Sequence, residues 1–404
     1  MKAWMLLFFA AFSGTVFSQS HLIVFKVEDK SIPCRIDLLN ESRWEIVNGV
    51  ERIPIEIKWG KDSTFTSSLP LFNTYFEGKK EKGILTGEWV DPTRTGDYRI
   101  PFQIVNNKIR EFDTKVHVPV HAKYKIVFED DTVPAILDMA AVREEFVVYG
   151  TVLTETGDYR YLQGEPFASN PFASSASENN RFYLSAFDGT HLFYLAGQLV
   201  DNKIEGVFMS GKHYSAKFTG EVDDNFKLRK ADELTWMKNP SETLSLKLNA
   251  DAKTERSFGE KDWKGKVTLV QIMGTWCPNC TDESRFVKSM YEKYHAQGLE
   301  VVPVSFERGT DKQVAFTRIN SQAKQMGLPY PVYLGSGADS PQKAAAIVFG
   351  QLNHVMSFPT LILIGKDGKV KKVWTGFYGP GTGVHYREHT AEIEDAVLRL
   401  LRKD

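Results

Sequence analysis

The stretch VTLVQIMGTWCPNC, Val267 to Cys280, constrains this chain more than any other. Its first half carries no charge, as expected of a strand buried on both faces. A turn through Gly274–Trp276 follows. Pro278 suits the first position of a helix, where no backbone N–H is needed. Cys277 then stands at the helix N-terminus, where unpaired N–H groups and the macrodipole favour a negative sulfur. Cys280, three residues on, falls on the same face and inside the first turn. A buried strand feeding a helix through a sharp turn predicts an α/β core of helices packed on a sheet.

Two cysteines at this spacing can bind metal, staple a loop or exchange electrons. The chain has three cysteines, Cys34, Cys277 and Cys280. A disulfide closing so short a loop constrains the unfolded chain little, so a staple gains almost nothing. Zinc wants four ligands, and no second C-x-x-C is present. His385 and His389 have ligand-pair spacing but lie far downstream and read equally well as surface polar residues. No metal is expected. Dithiol exchange remains, with Cys277 as the attacking sulfur and the more buried Cys280 resolving the mixed disulfide. Cys34, in SIPCRIDLL, is expected to be a buried, inert thiol.

With 404 residues, 42% hydrophobic and 25% charged, the chain has the composition of a multi-domain globular protein. Its formal net charge is −1, with Lys and Arg spread along the sequence. That argues against nucleic acid or an anionic membrane surface as a partner. The N-terminus predicts an export signal: Lys2, an apolar stretch from Ala3 to Phe12, and a cut after Ser18. The apolar stretch is too short to span a bilayer. No cysteine near the cut invites a lipid anchor. A soluble periplasmic protein is expected.

From about Ser20 to Asp251 the pattern is all-β. RWEIVNGVERIPIEIKW, Arg43–Trp59, predicts two strands joined by an Asn48-Gly49 turn. Further short β-type runs start at Lys123, Glu144, Arg181, His191 and Ile204, separated by Gly, Asn and Asp. There is a faint internal echo. TGDYR occurs at Thr95–Arg99 and Thr156–Arg160, and GEWVD at Gly87 resembles GQLVD at Gly197. No fixed period holds, so a sandwich or barrel is expected, not a solenoid. Gly164–Asn180 is a polar loop of small residues. Beyond residue 251, strands starting at Gly298, Pro331 and Thr360 alternate with helices over Pro278–His295, Lys312–Met326 and Pro341–Gly350. A hairpin through Asp367-Gly368 and a helix over Glu388–Leu401 close the chain. The expected division is signal peptide 1–18, β-rich domain 19–250 and α/β domain 251–404.

Residues 251–404 resemble the thioredoxin-fold domains of the TlpA/ResA type, which are exported thiol–disulfide oxidoreductases. The resemblance rests on GKVTLVQIMGTWCPNC, on Glu283 three residues after the second cysteine, and on SFPTLILIGKDGKV. It implies that Pro359 is cis and packs against the sulfurs, leaving the Phe358 backbone free to pair with a substrate peptide. Trp276, Pro278, Phe358 and Pro359 are then the substrate-facing residues, Trp276 shielding Cys277. Thioredoxin carries a buried acid at the position of Gln271. Here Glu283 is the candidate to accept the Cys280 proton, or else an ordinary acid early in a helix. The β-rich half resembles extensions found before TlpA-like domains in Gram-negative bacteria and is expected to dock or select substrates.

The implied function is reduction of protein disulfides in the envelope, with recharging by a membrane electron donor and no cofactor. A disulfide oxidase or isomerase shares the same chemistry, and a non-catalytic envelope binding protein could use the fold as scaffold. MGTWC lacks a Thr three residues before the attacking cysteine, which disfavours peroxiredoxin chemistry.

Overall fold

The computed structural model describes residues 20–69, 71–94, 96–106, 121–142, 147–164, 181–200, 202–338 and 340–402. The expected signal peptide, Thr95 and residues 165–180 of the polar loop lie outside them. The described residues form two antiparallel sheets of nine strands each and a mixed sheet of seven.

The first sheet spans Ser20 to Asn106. Its N-terminal strand Ser20–Val27 lies inside the sheet, paired on one side with Lys30–Asn40 and on the other with the central strand Arg99–Asn106. Ile23, Phe25 and Val27 are buried while Lys26 is exposed, the period-two alternation of a strand with one face on a core. The predicted hairpin is present: Arg43–Asn48 pairs with Glu51–Glu56. Gly49 takes φ +56°, the left-handed conformation such a two-residue turn requires.

The second sheet spans His121 to Val222 and closes on itself. Strand Ala135–Val142 pairs both with His121–Phe128 and with Val147–Thr154, joining the two ends into a barrel that leaves no long edge. The sequence suggests one β-rich unit; the structure contains two sheets, and the core of the first also takes in Phe187, Leu192 and Met209 of the barrel, whose remaining apolar residues form a second core. They are tied at the hairpin tip, where Asn48 Nδ2 donates to the Phe187 carbonyl (2.9 Å) and Asn48 Oδ1 accepts from the Phe187 N–H (3.1 Å).

The two sheets share a four-strand unit. In the first, Phe65, Gly78, Gly87 and Phe102 stand opposite one another across four adjacent strands. In the second, Phe182, Gly197, Gly206 and Phe218 do the same. Each phenylalanine ring covers the glycine beside it. A Cβ on Gly78 or Gly206 would lie 2.8 Å from the ring of Phe65 or Phe218. Aromatic cover of a strand glycine restores the packing that the missing side chain forgoes. The flanking residues match too: Leu85 and Ile204 precede the second glycine by two, Trp89 and Phe208 follow it by two, and all four are buried. The echo between Gly87 and Gly197 is therefore out of register, because Gly87 corresponds to Gly206 and Gly78 to Gly197.

The third sheet runs Glu255–Phe258, Leu246–Asn249, Tyr333–Ala338, Leu299–Arg308, Val267–Met273, Thr360–Ile364, Val370–Thr375. Leu246–Asn249 belongs to it, so a boundary at 250 falls inside this sheet; an isolated Met237–Leu352 bridge ties a still earlier residue to the same half. Val267–Met273 is buried at every position and pairs in parallel with Leu299–Arg308. Alternation splits its side chains between two cores. Val270 and Ile272 meet Ala344 and Phe349, the latter just past helix Pro341–Val348, while Val267 and Leu269 meet helices Pro278–Tyr294 and Val384–Leu401. Helices on both faces of a mixed sheet, with Thr360–Ile364 antiparallel to the central strand, give the expected thioredoxin-type arrangement. The last helix starts at Val384, a turn earlier than predicted.

Candidate active site

Period-two geometry builds this site. Gln271 and Met273 continue the face of Val267 and Leu269, so both point at the first turns of helix Pro278–Tyr294. Met273 packs against Cys277 and Cys280, with Trp276, Val332 and Phe358 around them. Gly274 permits the sharp exit: a Cβ there would run into the Trp276 ring.

Cys277 is the N-cap of the helix and Pro278 its first residue, as predicted. The Cys280 N–H donates to Cys277 Sγ at 3.2 Å, and the Cys277 thiol lies 3.5 Å from the Phe358 carbonyl. Cys277 is 6% exposed and Cys280 is fully buried. Burial drives the Cys280 thiol well above its ordinary range, helped by the neighbouring Cys277 sulfur and by the charge of Glu283.

Glu283 is fully buried one turn beyond Cys280. Gln271 Nε2 donates to its Oε2 at 2.9 Å and to the Cys280 carbonyl at 3.3 Å, while Ser284 Oγ donates to Gln271 Oε1 at 3.0 Å. Glu283 Oε1 has no hydrogen-bond partner. Burial pushes this carboxyl up to about 8, opposed only by the Gln271 hydrogen bond.

The Phe358–Pro359 peptide is cis. The Trp276 and Phe358 rings lie 5.4 Å apart, and Trp276 Nε1 donates to the Phe306 carbonyl at 2.9 Å. The Arg308 guanidinium covers the Trp276 ring at 4.8 Å. Glu307, which the sequence did not single out, fixes the turn. It is buried and accepts from the Thr275 N–H (2.9 Å), Thr275 Oγ1 (2.6 Å) and Ser305 Oγ (2.6 Å).

The barrel joins the site directly. Arg160 pairs with Asp282 of the cysteine helix and with Glu51 of the first sheet, with Asp188 at 3.8 Å. One buried cation thus links the first sheet, the barrel and the cysteine helix. Arg160 holds φ +64°, a left-handed backbone uncommon outside glycine, and the Asp158 carboxylate accepts its N–H at 2.9 Å. The echo TGDYR at Thr156–Arg160 gave the only hint of this contact, but as a repeat.

The other singled-out residues are structural. His389 is buried against Phe377 and Tyr378, and burial lowers its imidazole to about 4. His385 approaches Asp138 of the barrel at 3.5 Å. Neither is the exposed polar residue the sequence allowed. Among the described residues no three His, Cys, Asp or Glu gather as a metal site would need. Cys34 is buried between the β sheets, and desolvation pushes its thiol up to about 12. No helix among the described residues is long and apolar enough to cross a membrane.

Residues 238–382 match the family model described as Redoxin. The thiol-disulfide oxidoreductase ResA of Bacillus thuringiensis subsp. konkukian is 32% identical over 110 residues, 27% of this chain and 55% of the relative. ResA of Bacillus subtilis is 30% identical over 115 residues, 28% of this chain and 56% of the relative. The chain therefore spans little more than half the length of these relatives. A solved thiol:disulfide interchange protein of the thioredoxin family from Chlorobium tepidum has 20% identity and a TM-score of 0.29, covering 40% of this chain and 97% of that one.

Proposed function

We propose that this Redoxin-domain chain is an exported thiol–disulfide oxidoreductase that reduces disulfides of envelope proteins through Cys277 and Cys280. The observation that carries the reading is the arrangement around the sulfurs. Cys277 caps a helix, accepts the Cys280 N–H at 3.2 Å and keeps 6% of its surface exposed, which makes it the sulfur an incoming target can reach. Cys280 is shut from solvent with a reluctant thiol, and Glu283 offers it a carboxyl of unusually high proton affinity.

The reaction is a two-electron exchange. The Cys277 thiolate attacks one sulfur of the target, forming a mixed disulfide and expelling one target thiolate, which takes a proton from water. The ionised Glu283 then accepts the Cys280 proton, and the Cys280 thiolate attacks Cys277 Sγ. The second target thiolate leaves and is protonated. The target becomes a dithiol and the enzyme a disulfide, which a membrane-bound thiol donor must reduce for the next cycle. Trp276, Pro278, Phe358 and Pro359 are assigned to the target's side of the sulfurs.

The test is the reduction potential of the pair in residues 19–404 carrying Cys34→Ser, equilibrated in dithiothreitol and glutathione buffers. A potential below about −230 mV supports a reductase, since thioredoxin lies near −270 mV. A potential above about −150 mV makes the protein an oxidant. A pair that never forms a disulfide overturns the oxidoreductase reading.

A further inference from the structure

Three loops frame the sulfurs: Gly274–Asn279, Met356–Pro359 and Gly376–Gly379. One turn of the barrel, Thr154–Asp158, touches a residue of each. Asn279, which lies between the cysteines, donates through Nδ2 to the Asp158 carbonyl at 3.2 Å. Ser357, next to Phe358, donates through Oγ to the Thr156 carbonyl at 2.8 Å. The Gly379 N–H donates to Asp158 Oδ1 at 2.7 Å, and Tyr378 OH to the Thr154 carbonyl at 3.1 Å. The approach is backbone to backbone, for a Cβ on Gly376 would lie 2.6 Å from the carbonyl carbon of Thr156.

This flank of the site is closed. The buried Arg160–Asp282 pair fastens the turn on the side of the cysteine helix. The side left to an incoming group is bordered by Trp276 and Phe358, both only partly buried, with Arg308 beyond Trp276. Cys277 keeps only 6% of its surface exposed.

We infer that the Thr154–Asp158 turn is a steric selector: it admits disulfides carried on a narrow, flexible peptide segment and excludes those set in a broad folded surface. The inference rests on the oxidoreductase reading above. A flexible segment can reach Cys277 along the Trp276–Phe358 side alone. A folded surface wide enough to lie across all three loops meets the barrel first. The turn touches no reacting atom; it acts by position.

The experiment uses the mature full chain with two disulfides, one closing a short flexible peptide and one held in folded insulin. Both are supplied to the reduced enzyme under single-turnover conditions. Asp158→Ala removes the acceptor for Gly379, Tyr378→Phe releases Thr154, and Asp158→Asn keeps an acceptor oxygen. The wild type and Asp158→Asn are expected to reduce the peptide at least about tenfold faster than insulin in kcat/KM terms. Asp158→Ala and Tyr378→Phe are expected to narrow that gap by raising the insulin rate, with the peptide rate and iodoacetamide labelling of Cys277 unchanged. Equal rates on both targets in the wild type overturn the selector, as does a gap that both variants leave intact. If the wild type reduces neither target although its cysteines form a disulfide, the oxidoreductase reading itself fails.

Discussion

Gln271 Nε2 donates to Glu283 Oε2 at 2.9 Å inside a fully buried pocket, and the other carboxylate oxygen has no partner. A carboxylate held by a single neutral donor loses most of its hydration without a charge to replace it, which is why the proton stays on up to about pH 8. The ionised fraction able to accept the Cys280 proton therefore grows as pH rises towards 8. The resolution step, followed as decay of a mixed disulfide on Cys277, is expected to accelerate through this range. Glu283→Gln should flatten that inflection and slow resolution by about 10²-fold, the usual contribution of a positioned acid or base. An inflection that survives in Glu283→Gln would assign it to another group.

The same carboxyl carries a stability cost with a defined sign. Its folded-state value of about 8 lies above the ordinary carboxyl value of 4.5. Between those limits the native state holds a proton that the unfolded state has released, so stability falls as pH rises. The full penalty is reached near pH 8 and is on the order of a few kcal/mol. Glu283→Gln removes the titration, and urea midpoints of the variant should vary less between pH 5 and 8 than those of the wild type. The variant gains most at the alkaline end. A parallel pH dependence in both proteins would contradict this.

The α/β half was legible because its signals are local. The uncharged run at Val267, the helix-starting proline and the cysteine spacing each act within a few residues, and they fix the fold and the reacting sulfurs together. Gln271 was read only as a missing acid, since its role as holder of Glu283 depends on the strand face and the helix turn meeting in space. Arg160 and Asp282 are further apart still, 122 residues in sequence, and no local pattern pairs them. The duplicated unit escaped for a related reason. Phe65 precedes Gly78 by 13 residues while Phe182 precedes Gly197 by 15, so unequal loops hide a register that hydrogen bonding makes plain.

Replacing Arg160 tests the link between the sheets. Arg160→Met keeps much of the side chain's bulk but leaves Glu51, Asp188 and Asp282 without their common cation. Stranding buried charges in this way typically costs about 3–5 kcal/mol. Glu51, whose carboxyl is already pushed up by burial, loses the guanidinium that holds it down, so the deficit should grow from pH 5 to pH 7.5. Thermal unfolding of variant and wild type at both pH values checks the size and the direction. A deficit that shrinks with rising pH would mean the carboxylates find other partners.

The glycine rungs predict a stability pattern that separates packing from mere strand propensity. Alanine at Gly206 or Gly87 would bring a Cβ within 2.8 Å of the Phe218 ring or 2.9 Å of the Phe102 ring. Both sites also have partner-strand backbone close behind, so the methyl has little room to relax. Forcing an extra carbon into a filled core costs about 1–3 kcal/mol. Gly206→Ala and Gly87→Ala should each lower the unfolding free energy of the β half by that amount. Gly259→Ala is the contrast, because a Cβ there meets nothing within 4 Å and the backbone is extended. Pairing each alanine with a smaller covering residue, Phe218→Leu or Phe102→Leu, should recover part of the loss through the freed volume. If the double variants are instead additive, the ring is not what the glycine accommodates, and the shared unit would owe its register to the backbone alone.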